Sequence, residues 1–311
     1  MLMESQDSAD TLASDGPLGA PAPIAGICAP ASQAQPAAGR PEPARAGVTA
    51  APDGLEQPDR VWVFGLPLVT WTLQQTVDAV DRLVQQRTPS YFITANLHYA
   101  MLTDRYPKLR EVNRRAAFLV ADGMPLVWYS RLTSRPLPER VTGADLIYPL
   151  CQRAAERGYR VFFLGGAPGV GEAAAERLIG RFHALRVAGT AAPELDTLSS
   201  AEHTRLIATI RDARPDLLFV AFGQPKGEFW LAEHCQELAV PVSVQVGAAF
   251  DFVAGRAFRA PRIWRRLGLE WLYRLLREPR RLGPRYLRNA LFLFRAAARD
   301  MVRGGLVRPV E

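Results

Sequence analysis

Short, nearly unbroken apolar runs recur along the chain, and between them lie longer stretches whose apolar residues return every three or four positions. The runs VWVFG (61–65), YFITA (91–95), AFLVA (117–121), RVFFLGG (160–166), LRVAG (185–189), LLFVAFG (217–223) and VSVQVGA (242–248) predict strands. The segments between them, among them TVDAVDRLVQQR, GADLIYPLCQRAAERG and GEAAAERLIGRFHA, carry the 3.6-residue period of amphipathic helices. Strands nearly continuous in Val, Ile, Leu and Phe belong to a sheet covered on both faces, and their alternation with helices makes that sheet parallel. The expectation is an α/β fold, a Rossmann-like parallel sheet flanked by helices, over residues 59–255.

The pattern stops at both ends. Residues 1–58 are dominated by Ala, Pro, Gly, Ser, Asp and Gln, so they can bury too little apolar surface to offset the entropy of ordering and read as a disordered tail. After Gly255 the strands give out, and RIWRRLGLEWLYRLLREPRR puts Trp264, Leu267, Trp271, Leu272 and Leu275 on one helical stripe. A second basic amphipathic stretch, RYLRNALFLFRAAARD, follows a Gly-Pro break. The chain thus divides into a tail (1–58), a core (59–255) and a basic helical appendage (256–311).

Charge sharpens the division. The net charge is +7, yet residues 256–311 hold fifteen arginines against four acids, which leaves the rest of the chain at −4. Tryptophans beside arginines suit a helix lying in an anionic membrane surface; the bland alternative is that these helices pack on the core and leave the arginines in water. Nothing resembles a base-reading motif, so nucleic acid is not an expected partner. The acidic start MLMESQDSAD has no basic segment ahead of an apolar one, and no run reaches the ~18 apolar residues of a membrane span. The expectation is a cytoplasmic chain, peripherally associated with the inner face of the plasma membrane. Cys28, Cys151 and Cys235 show no disulfide or C-x-x-C spacing, the four histidines are scattered, and no D-x-D pair offers a carboxylate seat, so neither a metal nor a cofactor is expected.

Candidate chemistry falls in the loops at the carboxyl ends of strands, where open α/β sheets bind ligands. In LGGAPGVG, Gly165 and Gly166 lead into a helix whose backbone N–H groups can receive a diphosphate, or they serve a turn that simply needs glycine. The spacing is not G-x-G-x-x-G and no acid ends the following strand, which weakens a nicotinamide reading. In FLVADGMPLVW, Asp122 follows four apolar residues; partial desolvation there raises a carboxylate's pKa and suits it to deprotonate a hydroxyl, unless it only caps the next helix. Thr94 and Asn96 of FITANLHYA stand just past another strand, placed to bind a sugar or phosphate or to cap a helix.

Six blocks, TANLHYAML, ADGMPLVW, RVTGADL, FFLGGAPGV, AFGQPKGEFW and VGAAFDFVAGRAFRAPRIWRRLGLEWLYRLLREPRR, occur in this order and together resemble the WecG/TagA/CpsF family of glycosyltransferases, a similarity that covers residues from about 61 to 290. The resemblance implies a membrane-associated, inverting transferase that moves a sugar, N-acetylmannosamine or a hexose such as glucose, from a UDP-sugar to a polyprenyl-diphosphate-linked sugar in cell-surface or exopolysaccharide biosynthesis. It makes Asp122 the catalytic base and Thr94 and Asn96 positioning groups. It carries Arg140, Gly143 and Asp145 over from the R-V-x-G-x-D block, with the arginine suited to a diphosphate. Asp251, Arg259, Arg262 and Arg265 come from the last block, the arginines as counter-charges for the departing UDP.

One departure stands out in AFGQPKGEFW. The family usually reads G-x-P-x-Q-E, and here Gly223, Pro225, Lys226 and Glu228 surround Gly227 where the glutamine is expected. Lys226 and Glu228 remain as phosphate- and hydroxyl-binding groups, or as a solvated turn residue and a first-turn acid. The missing glutamine leaves open a non-enzymatic, membrane-docked assembly factor; a nucleotide-dependent oxidoreductase is the weaker alternative. The donor sugar and the oligomeric state stay open, with room for a homo-oligomer.

Overall fold

The computed structural model describes residues 59–302, and the expected N-terminal tail lies outside them. The elements run β1 (Arg60–Val63), β2 (Leu66–Val69), α1 (Leu73–Gln86), β3 (Ser90–Ala95), α2 (Leu97–Arg105), α3 (Lys108–Arg115), β4 (Leu119–Ala121), α4 (Met124–Ser130), α5 (Gly143–Arg157) and β5 (Arg160–Gly165). They continue with α6 (Val170–Arg181), β6 (Arg186–Ala191), α7 (Ser200–Asp212), β7 (Leu217–Ala221), α8 (Lys226–Leu238) and β8 (Val242–Gln245). Four more helices follow: α9 (Ala249–Val253), α10 (Arg262–Arg266), α11 (Glu270–Arg277) and α12 (Pro279–Val302). The strands form one sheet in the order β1-β2-β4-β3-β8-β7-β5-β6, parallel throughout except for the antiparallel β1–β2 pair.

Two apolar layers hold the sheet, as continuous apolar strands require. Along β7, Leu218 and Val220 enter one layer and Leu217 and Phe219 the other; β5 divides Phe162 and Leu164 from Val161 and Phe163 in the same way. The first layer is covered by α2, α3, α4, α7 and α8, the second by α1, α5, α6 and α9. Phe162, Phe163 and Phe219 are buried, and each such side chain contributes roughly 1.5–3 kcal/mol of apolar burial. Cys151 and Cys235 are buried in these layers too, and desolvation pushes both thiols upward. Between β3, which leads to β4 on one side, and β5, which leads to β6 on the other, the strand order reverses. A crevice opens there at the carboxyl edge.

Seven strands are expected from the apolar runs and eight are present among the described residues. The extra one, β2, is a four-residue run holding Pro67, which carries no strand signal of its own. It exists because Phe64 (φ 51°) and Gly65 (φ 77°) form a tight left-handed turn that folds it back on β1. Helix boundaries follow local chemistry: Thr72 and Gln75 make a capping box for α1, and Thr142 caps α5 while Gly158, left-handed, ends it. Gly143 has a packing reason, since a Cβ there would sit 2.7 Å from the backbone of Val246 where α5 meets β8.

The appendage differs most from expectation. The single stripe from Trp264 to Leu275 is broken at Gly268, whose left-handed backbone (φ 74°) separates α10 from α11. Only glycine fits, because a Cβ would lie 2.6 Å from Met124 Cγ and 3.0 Å from the Trp128 ring. The Gly-Pro pair, expected to break the chain, lies inside the continuous α12. An interior proline costs about 3 kcal/mol, and packing offsets it: Leu282, Phe292 and Ala296 are buried, the last two within the core layer that also holds Tyr99 of α2. The last helix is therefore part of the core rather than a separate attachment.

Candidate active site

A cavity of about 940 Å³ fills the crevice, a size suited to a nucleotide-sugar ligand. Its floor is made by Thr94, Asn96, Asp122 and Gln245 at the ends of β3, β4 and β8, one side by Gly166, Phe222, Gly223 and Gln224, and its roof by Trp271, Arg274, Arg285 and Tyr286. Carboxyl-edge loops and the C-terminal helices thus enclose one space. A shallower cleft between α1 and α5 is closed by ion pairs of Arg153 and Arg157 with Asp81 and of Arg153 with Asp78.

Asp122 follows β4, anchored by its own N–H donating to the Ala95 carbonyl at 2.7 Å. Part of its surface reaches the cavity, yet the protein packed around the carboxyl strips its water and pushes the pKa up to about 6. Arg140 opposes that rise, Asp145 and Glu270 add to it, and a backbone hydrogen bond from Gly143 lowers it again. No side chain caps α4, whose N-cap is Gly123, so the capping alternative for Asp122 does not describe its surroundings. Thr94 is buried and donates its hydroxyl to the Gln245 main-chain carbonyl at 3.0 Å; the Asn96 side-chain oxygen accepts from Tyr99 N–H at 3.0 Å and caps α2. Both also line the cavity, so the structural and the binding readings apply to the same residues.

Arg140 and Asp145 belong to a ring of four charges. Arg140 pairs with Glu270 at 3.0 Å and Asp145 at 3.5 Å, and Arg259 pairs with Asp145 at 2.5 Å and Glu270 at 3.6 Å. Each cation touches both anions, and each pairing joins the core to the appendage or closes the ring. The guanidiniums of Arg140 and Arg259 line the cavity, but their charge is already met by carboxylates. Arg265 lies 3.9 Å from Asp145 at the margin of the ring, and Arg262 is exposed. Neither lines the cavity, because the break at Gly268 turns α10 away from it.

Two other arginines stand where the sequence reading does not look. Arg274 and Arg285 line the roof and form no ion pair among the described residues. Arg285 Nε is buried without a partner, and desolvation, with Arg274 and Arg281 nearby, lowers its pKa. Arg274 lies over the Phe252 ring at 5.7 Å. The signal that could have found Arg285 is its place in the stripe Leu282, Arg285, Tyr286, Asn289, Leu293, a charge within the inward face of a helix. Gly166, Gly223 and Asp251 also line the cavity; Gly165 does not, its glycine being required because a Cβ would meet the Phe222 ring at 2.9 Å.

The segment AFGQPKGEFW is divided by the turn into α8. Lys226 faces outward to an ion pair with Asp196, Pro225 is the N-cap, and neither lines the cavity. Glu228 is buried beneath the turn, and desolvation pushes its pKa up to about 8 against the smaller lowering by its own backbone N–H and the Gln224 side chain. Burial thus disfavours the charged form that would interact with the helix dipole at this first-turn position.

Residues 61–305 match the glycosyl transferase WecG/TagA/CpsF family, and the chain belongs to it. Two similar proteins are both named N-acetylglucosaminyldiphosphoundecaprenol N-acetyl-beta-D-mannosaminyltransferase. One, from Bacillus spizizenii, is 30% identical over 226 residues, 71% of this chain and 86% of its own length. The other, from Staphylococcus aureus, is 30% identical over 240 residues, 76% of this chain and 92% of its own. The protein is a glycosyltransferase.

The Glu228 site makes a prediction about stability. An unfolded chain ionises glutamate above about 4.5, whereas the folded protein holds this proton up to about 8, so folding takes up a proton between those values. The stabilisation is complete below the lower value and is lost as pH rises through the upper one. Tm should therefore fall from about pH 4.5 to about pH 8, and Glu228→Gln, which cannot ionise, should flatten that fall. An equally steep decline in both proteins, followed by circular dichroism, would contradict the assignment.

Proposed function

We propose that the protein is an inverting transferase that moves N-acetylmannosamine, or a hexose, from a UDP-sugar to the sugar of a polyprenyl diphosphate. The observation that carries the reading is a raised carboxylate, Asp122, on the floor of a cavity roofed by two arginines without anionic partners. A base with a pKa of about 6 is ionised at neutral pH yet holds a proton better than an ordinary aspartate. It takes the proton of the acceptor hydroxyl as that oxygen attacks the anomeric carbon. The bond to the UDP oxygen breaks on the opposite side, which inverts the anomeric configuration. Arg274 and Arg285 meet the charge that develops on the leaving diphosphate, and backbone N–H groups near Gly166 add to this. Thr94 and Asn96 position the sugars.

The relatives' names support the acceptor class, since both act on a sugar carried by diphosphoundecaprenol. The outer surface of α12 supports a membrane setting. Leu287, Leu291 and Phe294 form an exposed apolar stripe, opposite the buried Phe292 and Ala296, with the exposed Arg280, Arg281, Arg288 and Arg295 around it. No helix among the described residues is long and apolar enough to cross a membrane. We propose that this stripe rests in an anionic membrane surface while the inner face of α12 roofs the cavity.

Asp122→Asn keeps the shape of the side chain but cannot accept the proton. Turnover, read as UDP released in the presence of a lipid-diphosphate-linked N-acetylglucosamine, should fall by about 10² to 10⁴ with donor affinity little changed. In the unaltered enzyme kcat/KM should drop as pH falls through about 6. Near-normal turnover of the variant would rule out Asp122 as the base. For the membrane surface, the protein should sediment with phosphatidylglycerol vesicles at low salt and be released in part at high salt. Replacing Leu287, Leu291 and Phe294 with serine should abolish the salt-resistant fraction, and its persistence would overturn the docking face.

A further inference from the structure

Position 227, glycine where the family pattern leads one to expect glutamine, has an unusual neighbour. Gly227 lies in the first turn of α8 where that helix crosses β8, and a Cβ built on it would sit 2.4 Å from Nε2 and 2.6 Å from Cδ of Gln245. The Gln245 carboxamide therefore occupies the space in which a side chain at 227 would begin. One position has room for a long side chain only if the other has none.

Gln245 is held in this place from three directions. It ends β8, paired across the sheet with Ile93 and Val220, and is buried with 1% of its surface exposed. Its main-chain carbonyl accepts the Thr94 hydroxyl, and its Oε1 accepts Phe222 N–H at 3.4 Å, which sets the orientation of the amide. Nε2 then has hydrogens to donate and no acceptor among the described residues. A buried donor without an acceptor is costly, and such groups are kept where something else supplies the oxygen. Gln245 is among the residues that line the cavity, with Thr94 and the loop Ala221 to Gln224. The neighbouring amide does not substitute, because Gln224 Nε2 is turned to the Thr94 carbonyl at 3.3 Å.

We propose that Gln245 supplies, from β8, the carboxamide donor that binds the nucleotide diphosphate of the sugar donor, and that residue 227 is glycine because this side chain fills its space. The amide has moved from the helix to the strand it packs on, and the site keeps its donor. The inference rests on the UDP-sugar reading above and adds a binding residue to it.

The test uses the full chain and UDP as probe. Gln245→Met keeps the length of the side chain and removes the donor; its UDP affinity by titration calorimetry should weaken about five- to tenfold, the loss of one neutral hydrogen bond. Tm should stay within a few degrees of the unaltered protein. The exchange variant Gly227→Gln with Gln245→Gly should recover UDP binding to within about threefold, while Gly227→Gln alone, overpacked against Gln245, should lose stability. Unchanged UDP affinity in a folded Gln245→Met protein, or an exchange variant no better than Gln245→Gly alone, would overturn the inference. Absence of UDP binding by the unaltered protein would instead overturn the donor reading and this inference with it.

Discussion

The site depends on a closed ring of charge. Arg140 and Asp145 come from the core, Arg259 and Glu270 from the segment after it, and each guanidinium bridges both carboxylates. These side chains are only partly exposed, so the desolvation of four charges cancels much of their attraction and the net stabilisation is small. What the ring supplies is geometry. It ties the start of α11, at Glu270, to Arg140 of the core, and with Gly268 seated on Met124 and Trp128 it brings α11 and α12 to the mouth of the crevice. Without that seat the crevice would be an open edge of the sheet and Asp122 would be in water.

Because the ring neutralises itself, the charges left over define the chemistry. Asp122 is held less acidic than usual by burial, and Arg285 less basic, because the groups beside each offset only part of its lost hydration. The cavity thus presents a reluctant anion below and reluctant cations above. A ligand bringing a hydroxyl to one and a diphosphate to the other relieves both. The same helix that carries Arg285 inward carries Leu287, Leu291 and Phe294 outward, so catalysis and lipid contact would share one rigid element.

Much of this was legible in the sequence where one local rule decided the outcome. The parallel sheet followed from apolar runs too continuous for a one-sided sheet, and Asp122 from an acid set directly after such a run. The failures have a common cause, which is that tertiary contacts decided them. Leu66–Val69 is a strand because a left-handed Phe64–Gly65 turn folds it onto β1, not because of its composition. Pro284 is tolerated inside α12 because the helix is anchored in the core on either side of it. Arg259 appeared to be a free cation until Glu270 and Asp145 were found beside it, and Arg285 passed unnoticed because it interrupts an apolar stripe. The missing glutamine at 227 looked like a loss; only the packing of α8 on β8 reveals Gln245 in its space.

The central claim is that the C-terminal helices complete the active site by bringing unpaired positive charge to the leaving diphosphate. Arg285→Gln tests it most directly, because this side chain is replaced by a neutral one and forms no ion pair among the described residues whose loss would unfold the protein. Single-turnover UDP release with a water-soluble lipid-diphosphate acceptor analogue, which removes membrane docking from the measurement, should slow by about 10²-fold or more at unchanged Tm. A rate within about threefold of the unaltered enzyme would contradict the account, since the roof would then enclose the reaction without taking part in it.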